Sequence, residues 1–234
     1  MKCTPAAAAP RVAAAACWRL IRSRPKKRRA KSRCGDLVNS AADWVDGVRV
    51  RDRFLAPPQV RALLDCAQLR RERGDFAAAR IGGGRSLQQH SQIRGDSICW
   101  IAAPLLPAER MLLEELECLR LDLNARDLLG LFHLELHYAW YPPGAGYARH
   151  VDQPQGRAQR QVSLALYLNE DWAPPAGGEL RLFDAPDRHR DIEPIAGRLV
   201  CFLTPGREHS VLPTRRERLS ISGWFSTRDD ALPR

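Results

Sequence analysis

With 234 residues, 44% of them hydrophobic, the chain suits one domain with or without a tail, and it is long enough to bury a sizeable core. Its formal charge of +10 would ordinarily point to nucleic acid or an anionic membrane, but eleven of the 37 Lys and Arg, and none of the 27 Asp and Glu, lie in residues 1–34. The remaining 200 residues carry about −1, so a basic domain surface is excluded, and no apolar run approaches the ~20 residues needed to cross a bilayer.

Residues 1–40 read as a disordered basic tail. The opening "MKCTPAAAAPRVAAAACW" is mostly alanine, is broken by Pro10-Arg11 and runs into a polybasic stretch, which argues against a cleaved export signal. "RSRPKKRRAKSR" reads as a solvated tail whose contact with nucleic acid would be weak. The seven cysteines, at 3, 17, 34, 66, 99, 118 and 201, form no C-x-x-C pair, and an odd, scattered set predicts reduced thiols and a cytoplasmic location.

Residues 41–130 read as a helical support region with one loop. Pro57-Pro58 opens an amphipathic helix with Val60, Leu63, Leu64 and Leu69 at helical spacing, stopping at Gly74. "IGGGRSLQQHSQIRGDS" is polar and Gly-rich and predicts a loop, with Arg94-Gly95-Asp96 as a turn. "PAERMLLEELECLRLDLNARD" predicts a second helix, with Leu112, Leu113, Leu116, Leu119 and Leu123 on one side. After residue 130 the period changes from 3.6 to 2. "FHLELHYAWY", "QVSLALYLN", "GGELRLF", "GRLVCFL" and "RLSISGWF" are short, rich in β-branched or aromatic residues and bounded by turn signals. The class is α+β: helices packed on an antiparallel sandwich or jelly roll. In the first of these strands, alternation sets His133, Glu135 and His137 on an outward polar face. His90, in the loop, and His189, in the charged turn "DAPDRHRD", read as solvated, and Arg160 as a surface arginine with a second reading as a substrate contact.

The chemistry starts at "YPPGAGYARHVDQPQG". His150 and Asp152, two apart after a Gly/Pro turn, leave the same face of an extended chain and invite a shared divalent metal. An H-x-D triplet alone is weak. It gains weight from "TPGREHSVLPTRRERLSISGWF", where His209 opens a strand and Arg218 starts the next. Two His and one carboxylate match the facial triad of non-haem Fe(II) oxygenases, which leaves three positions open on an octahedral ion. A 2-oxo acid fills two and dioxygen the third; a closed four-ligand zinc site would leave no such room. Arg218 supplies a bidentate, always-charged fork for the far carboxylate of a dicarboxylate co-substrate.

At these residues the sequence resembles the Fe(II)- and 2-oxoglutarate-dependent prolyl hydroxylases of the hypoxia-sensing type, bacterial branch. "IRGDSICWI", "YPPGAGYARHVDQPQG", "LYLNEDW", "GGELRLF", "DIEPIAGRLVCF" and "HSVLPTRRERLSISGWF" carry the resemblance in order, over roughly residues 90–227. It implies a double-stranded β-helix core at residues 131–227, iron held by His150, Asp152 and His209, and Arg218 on the distal carboxylate of 2-oxoglutarate. It also places Tyr141 and Tyr167 against the co-substrate, Leu180 in its pocket wall, and Ser222 and Trp224 near the bound acid. For Tyr141 a rim aromatic at a strand end is the competing reading, and for Leu180 and Trp224 ordinary core packing. The implied activity is peptidyl-prolyl 4-hydroxylation with Fe(II), 2-oxoglutarate and dioxygen, ascorbate as reductant, and elongation factor Tu as protein substrate. Two alternatives stand beside it: an oxygenase of the same cofactors acting on another protein side chain, a small molecule or a nucleobase, and a metal-binding or oxygen-sensing module without turnover.

Overall fold

Proline starts both helices, because its missing N–H costs nothing in a first turn. The computed structural model describes residues 43–79, 93–152 and 159–228, and in it α1 spans Pro57–Glu72 and α2 spans Pro107–Asp127. Each N-terminus is closed by a side chain three residues on: Gln59 accepts from the Ala56 N–H at 2.8 Å, and Glu109 from the Leu106 N–H at 2.9 Å. No described helix is long and apolar enough to cross a membrane. Both helices begin where the sequence predicts.

Eleven strands follow the order β1 (Val48–Arg51), β2 (Ala77–Ala78), β3 (Ser97–Trp100), β4 (His133–Tyr141), β5 (Tyr147–His150), β6 (Arg160–Tyr167), β7 (Leu180–Ala185), β8 (Arg188–Ile192), β9 (Leu199–Leu203), β10 (His209–Val211) and β11 (Arg218–Ser226). They form a seven-stranded sheet, β1-β9-β6-β11-β4-β3-β2, and a four-stranded sheet, β5-β10-β7-β8, with antiparallel ladders throughout. This is the jelly roll with supporting helices that the pattern predicts.

Alternation gives the large sheet two faces. Leu134, Leu136 and Tyr138 of β4, Leu164 and Leu166 of β6, and Leu219, Ile221 and Phe225 of β11 join Leu63, Leu112, Leu116 and Leu123 of the helices in one cluster. Ala165, Tyr167, Val200 and Phe202 turn the other way and pack with Leu180, Leu182 and Ile192 of the small sheet. On the helix face, Glu109 is fully buried and bonds Arg70 through both carboxylate oxygens, at 2.5 and 2.7 Å, while the Tyr138 hydroxyl donates to it at 3.3 Å. One carboxylate thus joins α1, α2 and β4.

Several sequence expectations change here. The polar face of β4 is outward only in part: His133 and Glu135 are part-exposed, but His137 is 2% exposed and lines a cavity with residues of both sheets, which alternation alone shows only as the side opposite the leucines. "DAPDRHRD" is a turn only at Pro186-Asp187, since Asp184 and Ala185 end β7 and Arg188–Ile192 pairs with it; His189 is exposed as expected. Arg94-Gly95-Asp96 is no free turn: Arg94 bridges to Tyr147, and its guanidinium grips the buried Asp96 at 2.8 and 3.1 Å. Cys66, Cys99 and Cys201 are buried free thiols. The basic tail, most of the Gly-rich loop and His90 lie outside the described residues.

Candidate active site

The ladder between β5 and β10 sets His150 directly opposite His209, with ring centroids 4.2 Å apart. The Nδ1 of each ring reaches a main-chain carbonyl two residues earlier, Ala148 at 2.8 Å and Arg207 at 3.2 Å. Donation there leaves both Nε2 lone pairs free on the other side. Asp152, just past the end of β5, meets them: its Oδ1 is 3.5 Å from His150 Nε2 and its Oδ2 3.4 Å from His209 Nε2. The three donor groups lie within 4.8 Å of one another. Burial works against the Asp152 charge, but the imidazoles of His209 and His150 outweigh it and hold the carboxyl well below its usual range. Burial also pushes the His150 imidazole down, against the pull of Asp152. Two lone pairs and a carboxylate converging on one point is the donor set a divalent cation of borderline hardness takes, so these residues fit Fe(II).

Beside this set lies a cationic pocket. Arg218 is 2% exposed; its Nε donates to the Gly178 carbonyl at 2.8 Å and its Nη1 to Ser220 Oγ at 3.3 Å. Its guanidinium stands 5.0 Å from the Tyr141 ring centre and 5.2 Å from that of Tyr167. No carboxylate among the described residues pairs with it. The Tyr167 hydroxyl is buried and has no hydrogen-bond partner. Burial pushes that phenol up to about 12, although Arg218 pulls it down, and burial raises the Tyr141 phenol as well; both are neutral donors. A buried cation beside an unused O–H is a costly arrangement unless an anion joins it, and a dicarboxylate fits. Gly178 makes the approach possible: it sits at φ +73°, and a Cβ there would stand 3.0 Å from Arg218 Cδ.

His150, Asp152, His209, Tyr141, Leu180, Arg218, Ser222 and Trp224 line one cavity, and Tyr167 stands against it through Arg218. Tyr141 is buried, not a rim aromatic, whereas Leu180 both packs in the inner core and faces the cavity. Several neighbours are not apparent from the sequence alone. Tyr147 stacks on the His150 ring at 3.5 Å, and Arg94 lies 4.7 Å over the other aromatic of that pair, Tyr147. His137 stands between Trp100 and Trp224, at 5.0 and 5.4 Å, with its Nδ1 unpaired; burial, helped by Arg94, pushes it down to about 3, so it is a neutral wall residue. Arg160 is not a surface arginine: it lies 3.5 Å over Trp224 and bonds the Asp152 carbonyl at 3.0 Å. Tyr147 and Arg160 lie on β5 and β6, and only the ladders reveal what they meet.

Residues 136–226 match the family model described as the 2OG-Fe(II) oxygenase superfamily. A prolyl-4-hydroxylase of Pseudomonas putida, known from its crystal structure, is 40% identical, with a TM-score of 0.70 covering 82% of this chain and 96% of that one. A prolyl hydroxylase solved with a hypoxia inducible factor oxygen degradation domain peptide fragment from Trichoplax adhaerens superimposes with a TM-score of 0.74 at 26% identity, covering 86% and 94%. Prolyl hydroxylase EGLN3 of Mus musculus is 31% identical over 184 residues, 74% of this chain and 76% of the relative. Egl nine homolog 1 of Homo sapiens is 32% identical over 194 residues, 79% of this chain and 45% of its own length. The chain spans about half the length of the Egl nine homolog 1 proteins it matches. It belongs to the 2OG-Fe(II) oxygenase superfamily, among the prolyl hydroxylases, a family that requires Fe(II), 2-oxoglutarate and dioxygen.

Proposed function

We propose that this chain is a dioxygenase that hydroxylates prolyl residues of a protein substrate at C4. The observation that carries the reading is one cavity lined by both the His150–Asp152–His209 donor set and the buried, carboxylate-free Arg218. His150, Asp152 and His209 would hold Fe(II), which when bound supplies activation of dioxygen coupled to decarboxylation of 2-oxoglutarate, giving hydroxyproline, succinate and carbon dioxide. Arg218 grips the distal carboxylate of 2-oxoglutarate as a planar fork, and the Tyr167 hydroxyl donates to the same group. Tyr141 and Leu180 wall the co-substrate, and Ser222 and Trp224 flank it. Burial of these side chains keeps bulk water from the reacting centre.

The prolyl specificity and the protein target are supported by the named relatives, one solved with a peptide of hypoxia inducible factor. Elongation factor Tu is the target we infer, from the resemblance to bacterial prolyl hydroxylases, with ascorbate as reductant. We assign the chemistry to residues 131–227, with 41–130 as support and 1–40 as a tail outside it. Deleting residues 1–40 should leave turnover of a peptide substrate unchanged, and a collapse of kcat would place the boundary wrongly.

The test is direct. Prolyl peptides of elongation factor Tu, incubated with the protein, Fe(II) and 2-oxoglutarate, should gain the mass of one oxygen with matching succinate. Asp152→Ala should yield neither product. Succinate without modified peptide would keep the oxygenase and reject this target; equal turnover by Asp152→Ala would reject the donor set.

A further inference from the structure

Asp152 lies two residues past the end of β5 and takes no part in a strand ladder. Its position is therefore fixed by other contacts, and besides His150 and His209 these come from β6. Ser163 Oγ is 2.9 Å from Asp152 Oδ2 and 2.9 Å from Thr204 Oγ1. A carboxylate only accepts, so Ser163 spends its single proton on Asp152, and Thr204 must be the donor to Ser163. Both hydroxyls belong to almost fully buried residues, so water does not compete for them. Arg160, three residues before Ser163 on the same strand, reaches the main chain instead. Its Nη1 donates to the Asp152 carbonyl at 3.0 Å and its Nη2 to Glu135 Oε2 at 3.1 Å, with the guanidinium 3.5 Å over the Trp224 ring.

We propose that Ser163 and Arg160 are positioning residues for metal capture by Asp152, with Thr204 and Glu135 acting through them. The Thr204–Ser163 relay occupies one carboxylate oxygen, which orients the group and opposes chelation of the metal by both oxygens. Arg160, clamped between Glu135 and Trp224, fixes the backbone that carries that carboxylate. The inference rests on the metal reading of His150, Asp152 and His209. It also gives the part-exposed Glu135 of β4 a role, as the anchor of Arg160.

The experiment uses the full chain freed of metal, with Mn(II) as a redox-inert probe and the electron paramagnetic resonance signal of free Mn(II) as the readout. Outer-shell partners of ligands typically carry about 10–100-fold in metal affinity. Ser163→Ala should weaken Mn(II) binding by about 10-fold or more, and Ser163→Thr, which keeps the hydroxyl, should restore it. Arg160→Gln should weaken binding by about 10-fold, with Glu135→Gln weaker in the same direction. The Glu135→Gln/Arg160→Gln pair should be no worse than Arg160→Gln alone, because Glu135 acts only through that side chain. Arg160 sits nearer the rim than Ser163, so it carries the test if Ser163→Ala does not fold. Wild-type affinity in folded Arg160→Gln and Ser163→Ala, with Asp152→Ala unable to bind, would overturn this inference alone. Wild-type affinity in Asp152→Ala would overturn the donor set itself.

Discussion

Arg70 and Arg218 are buried on opposite faces of the same sheet, and their company differs. Arg70, on the helix face, meets both oxygens of Glu109. Arg218, between the sheets, meets a carbonyl, a serine and two aromatic rings. The other buried arginines follow Arg70: Arg49 stands near Asp122 and Asp127, and Arg120 pairs with Glu117. Among the described residues only Arg218 is a buried arginine without a carboxylate. A satisfied buried charge holds a fold together, whereas one left without its counter-ion marks where a ligand's charge belongs.

Exchanging the partners of these groups breaks or sharpens that contrast. Arg218→Ala should raise the KM for 2-oxoglutarate by two to four orders of magnitude, about 3–5 kcal/mol, while Mn(II) affinity holds. Lysine should rescue in part, offering a point charge where a planar fork stood. Arg215→Ala and Arg216→Ala, on the exposed turn, should keep the wild-type KM; loss of co-substrate there would mean that Arg218 is not its partner. Arg70→Met should do the reverse: stability falls by about 3 kcal/mol because Glu109 is stranded, seen in denaturant melts, while the folded fraction keeps its KM.

A third test concerns His137. The unfolded chain takes up its proton below about 6.5, whereas burial refuses it until about 3, so this contribution is complete above 6.5 and is lost as pH falls through that window. His137→Leu should flatten the acid limb of stability by up to about 1.4 kcal/mol per pH unit, in melts of metal-free protein. An unchanged limb would show that the ring is not held neutral. The smallest effect belongs to Leu128, which ends α2 at φ +52° and is 85% exposed. Leu128→Gly should stabilise by about 1 kcal/mol and leave KM untouched.

The fold was legible where local chemistry decides it. Pro57 and Pro107 mark helix starts, and the leucines of α2 show their period; β4, β6 and β11 alternate because one face packs against helices, and β9 reads as a continuous apolar run because both its faces are buried. The charged β8 was not legible as a strand, since its partner β7 gives it its register. His137 was misplaced because alternation separates two faces without telling what covers each. At the site, His150, Asp152, His209 and Arg218 were legible from residue type, spacing and resemblance. Ser163 and Thr204 were not: they meet Asp152 and each other across 11 and 41 residues, through ladders no short window contains.

The claim that Arg218 awaits a carboxylate can be isolated from catalysis. The Mn(II)-loaded protein can be titrated with 2-oxoglutarate and with 2-oxopentanoate, which keeps the 2-oxo acid head and chain length but ends in a methyl group. Binding of 2-oxopentanoate should be weaker by on the order of 100-fold or more, and Arg218→Ala should erase most of that difference. Equal affinity for the two acids in the wild-type protein would contradict the assignment of Arg218 to the distal carboxylate.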